Sequence, residues 1–196
     1  MKQRYILTVL LTVLLTSGCS FKEAEPMNVY TLDAGGVTPV SSSKYQSSVL
    51  KVSYPQTLKE KMSDKMCFSY SSSDRGVYLN SEWSNAVEKL IQGSVIEILQ
   101  QSHLFKAVLP YASTAGEDYR LESMIYDFSH HLKGGDSYAI VSIEFMLVDA
   151  HTGKLVKNKR FSYKELTPTV DAKGYVYATN VAMKRLSKDL IMWIGA

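Results

Sequence analysis

The sequence predicts an α+β fold, a mainly antiparallel β-sheet with two long amphipathic helices packed on one face. Two stretches place apolar residues at three- and four-residue steps, the period of a helix with one buried stripe. Three others alternate apolar and polar residues over long runs and are joined by Gly- and Asp-rich turns, the signature of neighbouring antiparallel strands.

The chain opens with Lys2 and Arg4 ahead of an apolar run from Tyr5 to Thr16. A charged end followed by an apolar segment too short to span a bilayer is the pattern of a secretory signal. Leu15-Thr16-Ser17-Gly18-Cys19 then sets small residues before a cysteine, the arrangement at which a diacylglycerol is attached to sulfur before cleavage. Residues 1–18 are therefore expected to be a lipoprotein signal peptide, Cys19 the lipidated first residue, 19–26 a tether, and 27–196 a single periplasmic domain. Each acyl methylene buried in the bilayer contributes about 0.8 kcal/mol, so a multiply acylated Cys19 anchors the chain permanently. Ser20 and Phe21 stand where an Asp would favour inner-membrane retention, which makes the outer membrane the expected location and the inner membrane the alternative.

The formal charge of +3 falls to about +1 once Lys2 and Arg4 leave with the signal, so nothing points to a nucleic-acid partner. Cys67 is the second of two cysteines. With Cys19 acylated, no intramolecular disulfide can form and the fold must stand on packing.

Met27 to Leu32 is a short β-prone island, and Asp33 to Ser48 has little to bury and reads as loop. Val49 to Tyr54 alternates Leu50, Val52 and Tyr54 on one face and ends at Pro55, as a strand halted by proline does. Met66 to Tyr70 and Val77 to Leu79 are short strands on either side of a Ser-rich turn. From about Ser81 to Ser102, Trp83, Val87, Leu90, Ile91, Val95, Ile98 and Leu99 make the stripe of the first helix, with Asn80 or Ser81 placed to cap it. Phe105 to Val108 reads as an edge strand. Tyr119 to Phe128 and Ser137 to Asp149 are long strands joined through Lys133-Gly134-Gly135-Asp136, and a turn at Asp149 to Lys154 leads into Leu155 to Tyr163, completing a meander. Tyr175 to Trp193 repeats the helical stripe.

Ala139, Val141, Ile143, Phe145 and Leu147 form one unbroken apolar face. The opposite face of the same strand, including Tyr138, Glu144 and Met146, is too apolar for a wetted surface and too polar for a core. Either a partner covers it, a second copy of the chain included, or the 27–48 segment does.

His130 and His131 are adjacent on a strand, where successive side chains point to opposite faces, so they do not share a metal. His103 and His151 stand alone in loops. Ser94 lies inside the first helix, away from the strained turn that presents a hydrolase nucleophile. His151-Thr152-Gly153-Lys154 lacks the upstream glycine and following helix of a phosphate loop. Glu117 and Asp118 read as solvated turn residues. Catalysis, a cofactor and a metal are not expected.

Taken in order, the pieces resemble the ABC-type transport auxiliary lipoproteins, the family that includes the lipoprotein of the paraquat-inducible operon. The resemblance begins with Tyr30 and Leu32 in Val29-Tyr30-Thr31-Leu32-Asp33 and continues through Trp83 at the start of the first helix. It includes Tyr119, Leu121, Ile125 and Phe128 in the strand that follows, Phe161 at the centre of Arg160-Phe161-Ser162, and Trp193 in the closing helix. It implies a non-catalytic, membrane-anchored accessory of an envelope ABC system linked to a mammalian-cell-entry (MCE) domain protein. Permease and ATPase would be separate chains, phospholipid the cargo, and docking of a periplasmic partner the task. A binding module of another envelope or outer-membrane assembly machine is the competing reading.

Overall fold

The computed structural model describes residues 26–57, 63–71 and 73–196. The signal segment, Cys19 and the tether up to residue 25 lie outside the described residues. Among the described residues there are eight strands: β1 (Asn28–Tyr30), β2 (Val49–Val52), β3 (Lys65–Ser69), β4 (Arg75–Trp83), β5 (Ala107–Pro110), β6 (Tyr119–Lys133), β7 (Asp136–Asp149) and β8 (Leu155–Leu166). Two helices accompany them, α1 (Val87–Ser102) and α2 (Ala172–Gly195).

The meander of β6, β7 and β8 forms where the hairpin signals stand. Lys133 pairs with Asp136 across only two residues. These are Gly134 and Gly135 at φ 59° and 93°, the left-handed pair that a two-residue turn demands and that a Cβ resists. At the other hairpin the Asp149 carboxylate accepts from the backbone of His151 and Thr152 and from the Thr152 hydroxyl, closing the turn before β8. The five-residue apolar face of β7 is fully buried, as its alternation predicts.

β6 does not alternate evenly. Ile125 pairs with Ile143 but Asp127 with Ser142, so Tyr126 is the extra residue of a bulge. Before it Leu121, Ser123 and Ile125 are buried; after it Phe128 and His130 are.

The sheet is mixed, and the expectation of a mainly antiparallel one is corrected. The far edge of β6 pairs in parallel with β2 along its first half and with β3 along its second. β2 also runs parallel to β5, and β1 to β4. Leu50 meets Val108 and Tyr119 in this way. Such pairs join chain segments dozens of residues apart through crossovers, so no turn sequence announces them.

The start of the first helix also differs. Ser81 to Trp83 continue β4, and α1 begins at Val87 after an Ala86 N-cap that has no side-chain cap. Asn80 and Ser81 therefore cap nothing, and Trp83 belongs to a strand end. Its four-residue step to Val87 mimicked a helical stripe because both side chains reach the same core.

α1 packs over β2 and β5, α2 over β7 and β8, and the helices touch each other. Their inward residues and those of the sheet form one buried core. Asp171 caps α2, its carboxylate accepting from the Gly174 amide at 2.7 Å and the Thr169 hydroxyl at 2.8 Å. At the other end the Lys157 ammonium donates to the carbonyls of Trp193 and Ile194 at 2.7 and 3.0 Å, placing a cation where the helix dipole is negative.

A Cβ on Gly174 would stand 2.1 Å from the Thr169 carbonyl oxygen. Gly to Ala inside a helix ordinarily gains about 1 kcal/mol, but this contact is with backbone, which cannot swing aside. Gly174→Ala is expected to lose a net 1 to 3 kcal/mol or so, read as a lower urea midpoint with unchanged slope.

The segment from Asp33 to Ser48 has no regular structure, yet it is tied down. The Asp33 amide donates to Asn180, the Asp33 carboxylate pairs with Lys184 at 2.7 Å, and the Ser187 hydroxyl donates to the Ala34 carbonyl. Further on, the Val40 amide donates to the Ser102 carbonyl, and Tyr45 is buried against Phe105 and Tyr119. It straps the helices, so it does not cover the opposite face of the sheet.

Candidate functional site

The face of the sheet turned away from the helices carries the residues that were legible as a candidate partner surface. Tyr138, Glu144 and Met146 all lie on this side of β7, flanked by β6 and β8, and all are half-buried. Along a strand rising about 3.3 Å per residue, Tyr138 sits some 20 Å from Glu144. The three mark an extended surface, with Glu144 and Met146 sharing one end.

At the Tyr138 end, the Lys164 ammonium stands 3.7 Å above the tyrosine ring and His131 stacks on the ring at 5.9 Å. The His131 imidazole reaches the Asp127 carboxylate at 3.1 Å and the Ser129 hydroxyl at 3.0 Å. At the Glu144 end, the carboxylate accepts from the Tyr126 hydroxyl at 2.9 Å and from the Asn158 amide at 3.0 Å. That bond to a carboxylate raises the Tyr126 pKa above its ordinary value. The Arg160 guanidinium lies 3.8 Å over the Tyr126 ring and donates to Ser142. Side chains whose conformations are fixed by neighbours in this way lose little freedom when a partner arrives.

Beside Met146 the surface dips into a cavity of about 480 Å³ lined by Tyr54, Tyr111, Arg120 and Met124. Tyr54 and Tyr111 face each other at 6.2 Å and are 41% and 56% exposed. Below them Glu117 bridges Lys51 and Arg120, each at 2.6 Å, and those two cations hold its carboxyl below the usual range. Exposed tyrosines with methionines and a fixed arginine are the residue types enriched at the centres of protein interfaces. A second cavity, about 410 Å³, is lined by Cys67, Ser69, Val77 and Ser129.

Tyr54, Tyr111 and Tyr126 were not singled out from sequence. Their convergence depends on the parallel pairing of β2 with β5 and β6 and on the β6 bulge, and neither leaves a local pattern. Glu117 and Asp118, read as solvated, are engaged: Asp118 accepts from the Val49 amide at 2.8 Å and from His151 at 3.2 Å.

His130 and His131 point to opposite sides of the sheet. His130 is buried between Tyr78 and Tyr175, stacked on the latter at 5.2 Å. Its Nδ1 is 2.6 Å from the Tyr78 hydroxyl and its Nε2 is 2.6 Å from Ser137, which is itself 2.5 Å from Thr167. This chain of four polar side chains, buried at His130 and Ser137 and partly exposed at both ends, was not read from sequence. Among the described residues no group of three His, Cys, Asp or Glu is arranged to hold a metal ion, and no helix is long and apolar enough to cross a membrane.

Of the residues that carry the family resemblance, Trp83, Leu121, Ile125, Phe128 and Phe161 are buried, and Tyr30, Leu32, Tyr119 and Trp193 pack half-buried against the same core.

A family model described as ABC-type transport auxiliary lipoprotein component matches residues 30–190. No curated protein matches the chain. Among solved structures, the protein XCC0632 from Xanthomonas campestris, of the DUF330 family, superposes with a TM-score of 0.77 at 18% identity, covering 86% of this chain and 95% of that one. An uncharacterised protein gives 0.63 at 13% identity over 87% and 99% of the two chains. Lipoprotein GNA1162 from Neisseria meningitidis gives 0.41 at 12% identity over 72% and 99%. At these identities the first two likenesses are of fold.

Proposed function

Since the chain belongs to the ABC-type transport auxiliary lipoprotein family, we propose that it is a non-catalytic accessory of an MCE-linked envelope transport system for phospholipid. In this reading it is held by lipid on Cys19 at the periplasmic face of the outer membrane. The family match over residues 30–190 carries the reading. The lipobox ending in Cys19 supports the anchor. The sheet face from Tyr138 to Met146, left uncovered among the described residues and carrying the tyrosine-lined cavity, is the surface assigned to the periplasmic partner. Its polar groups are engaged with one another, which suits recognition rather than turnover.

Affinity capture of the crosslinked protein from detergent-solubilised envelope tests the partner. Recovery of MCE-domain and permease subunits is the expected result, and recovery of an outer-membrane assembly machine instead would overturn it. Cys19→Ser is expected to leave the domain folded but release or mislocalise it. Its persistence in the membrane fraction after a high-salt wash would count against the lipid anchor.

A further inference from the structure

Charge is distributed unevenly along this chain. Residues 154–196 hold nine lysines and arginines against three carboxylates, a net +6 in a chain whose total is +3. Everything before them is net negative. Those residues are β8 and α2, which pack side by side: the Tyr163 hydroxyl donates to Asp189 at 2.6 Å and Arg185 pairs with Glu165.

All three carboxylates of this flank are already engaged. Asp189 accepts from Tyr163, Glu165 from Arg185, and Asp171 caps α2. Of the cations, Lys157 and Arg185 are engaged within the flank and Lys184 pairs with Asp33, yet Lys173, Lys184 and Lys188 of α2 are all exposed. Lys173, Lys184 and Lys188 lie on one stripe of α2 together with Tyr177 and Met192, since their spacings of four, seven, four and four residues keep to one side of a helix. Tyr177 is 62% and Met192 64% exposed. On the neighbouring strand Lys159 lies over the Phe161 ring. A lysine stripe interleaved with an exposed tyrosine and an exposed aliphatic side chain has the composition of surfaces that lie in a headgroup layer.

We infer that the β8–α2 flank is a docking surface for the acidic headgroups of a phospholipid bilayer. Its position agrees with the anchor proposed above, on which the identity of that bilayer rests. Asn28 and Tyr30 line one depression with Asp171 and Lys173, so the described chain begins beside the first turn of α2. The seven Cα–Cα steps from Cys19 to Pro26 span up to about 24 Å when extended. Lipid and stripe therefore meet the same membrane when the domain lies on its side, which leaves the outer face of the sheet accessible to the periplasm. An acidic protein surface is the competing occupant. Membrane is favoured because the cations run the length of a helix instead of clustering around a cavity.

The test is lysine footprinting of the mature protein reconstituted on vesicles of phosphatidylcholine alone or with added phosphatidylglycerol. A neutral acetylating reagent marks each lysine and mass spectrometry reads it. Lys173, Lys184 and Lys188 are expected to react about threefold or more slowly on the acidic vesicles. Lys65 on β3 and Lys89 on α1 should be unchanged, and high salt should erase the difference. Joint substitution Lys173→Glu and Lys188→Glu should abolish the protection of Lys184. Equal reaction on both vesicle types overturns the inference, as does protection that appears only after other envelope proteins are added. The mass of the N-terminal peptide reports acylation of Cys19 separately, so failure of the anchor and failure of the surface are told apart.

Discussion

Replacing Trp83 with alanine is expected to destabilise the protein by about 3 to 5 kcal/mol, the cost of emptying a large aromatic site in a close-packed core. The side chain is 1% exposed. Its ring meets Phe128 and Tyr175, each at 5.7 Å between centroids, so strand β4, strand β6 and helix α2 all contribute to the walls. None of the three can close the gap alone. The backbone adds to the constraint, since the Trp83 amide donates to the Asp64 carbonyl at 2.7 Å and Trp83 pairs with Tyr30 of β1. Urea unfolding followed by circular dichroism measures the effect. A lower midpoint with an unchanged slope is expected, with Trp83→Phe losing much less. An alanine variant as stable as the parent would mean that the ring is not packed as described.

Acid should weaken the fold well above the range in which carboxylates titrate, because of His130. Burial first, and the neighbouring His131 second, lower its pKa from 6.5 to about 4, against a smaller opposing pull from Asp171. Between those values the unfolded chain binds a proton that the folded chain refuses. Stability is therefore fully present above pH 6.5 and is lost as the pH falls toward 4, by about 3 kcal/mol for a shift of this size. Asp33, Glu117, Asp118, Asp149 and Asp171 all have lowered pKa values, so their losses come at lower pH. Unfolding midpoints from pH 7 to 4.5 should fall in the parent and stay nearly level in His130→Gln. A parallel decline in both would assign the effect elsewhere.

Local signals and local structure agreed best where the chain turns back on itself at once. The meander was legible because Gly134-Gly135 and the Asp149 turn fix two hairpins, and alternation fixes which face of β7 is buried. Strand ends moved by a few residues, as with β6 reaching Lys133, since burial fades there gradually. Parallel partners were not legible. Leu50 is buried whichever strand lies beside it, so its sequence context carries no information about Val108 or Tyr119. The candidate site divides in the same way. Tyr138, Glu144 and Met146 follow from a single strand's alternation, whereas Tyr54 and Tyr111 join Met146 only after β2, β5 and β6 have assembled. The chain from Tyr78 to Thr167 likewise draws on β4, β6, β7 and the loop beyond β8, each contributing one polar residue that looks unremarkable in its own segment.

The additional residue in β6 acts as a phase change in a two-stroke pattern. Odd-numbered side chains point into oil up to Ile125 and even-numbered ones from Phe128 onward, and Tyr126 is where the count is reset. Deleting that one position would do more than remove a phenol from the surface. It would straighten the strand and leave its neighbours on their present sides, since Asp127 would follow Ile125 in plain alternation, opposite Ser142 and Ile143 respectively, with Phe128 and His130 still facing the helices.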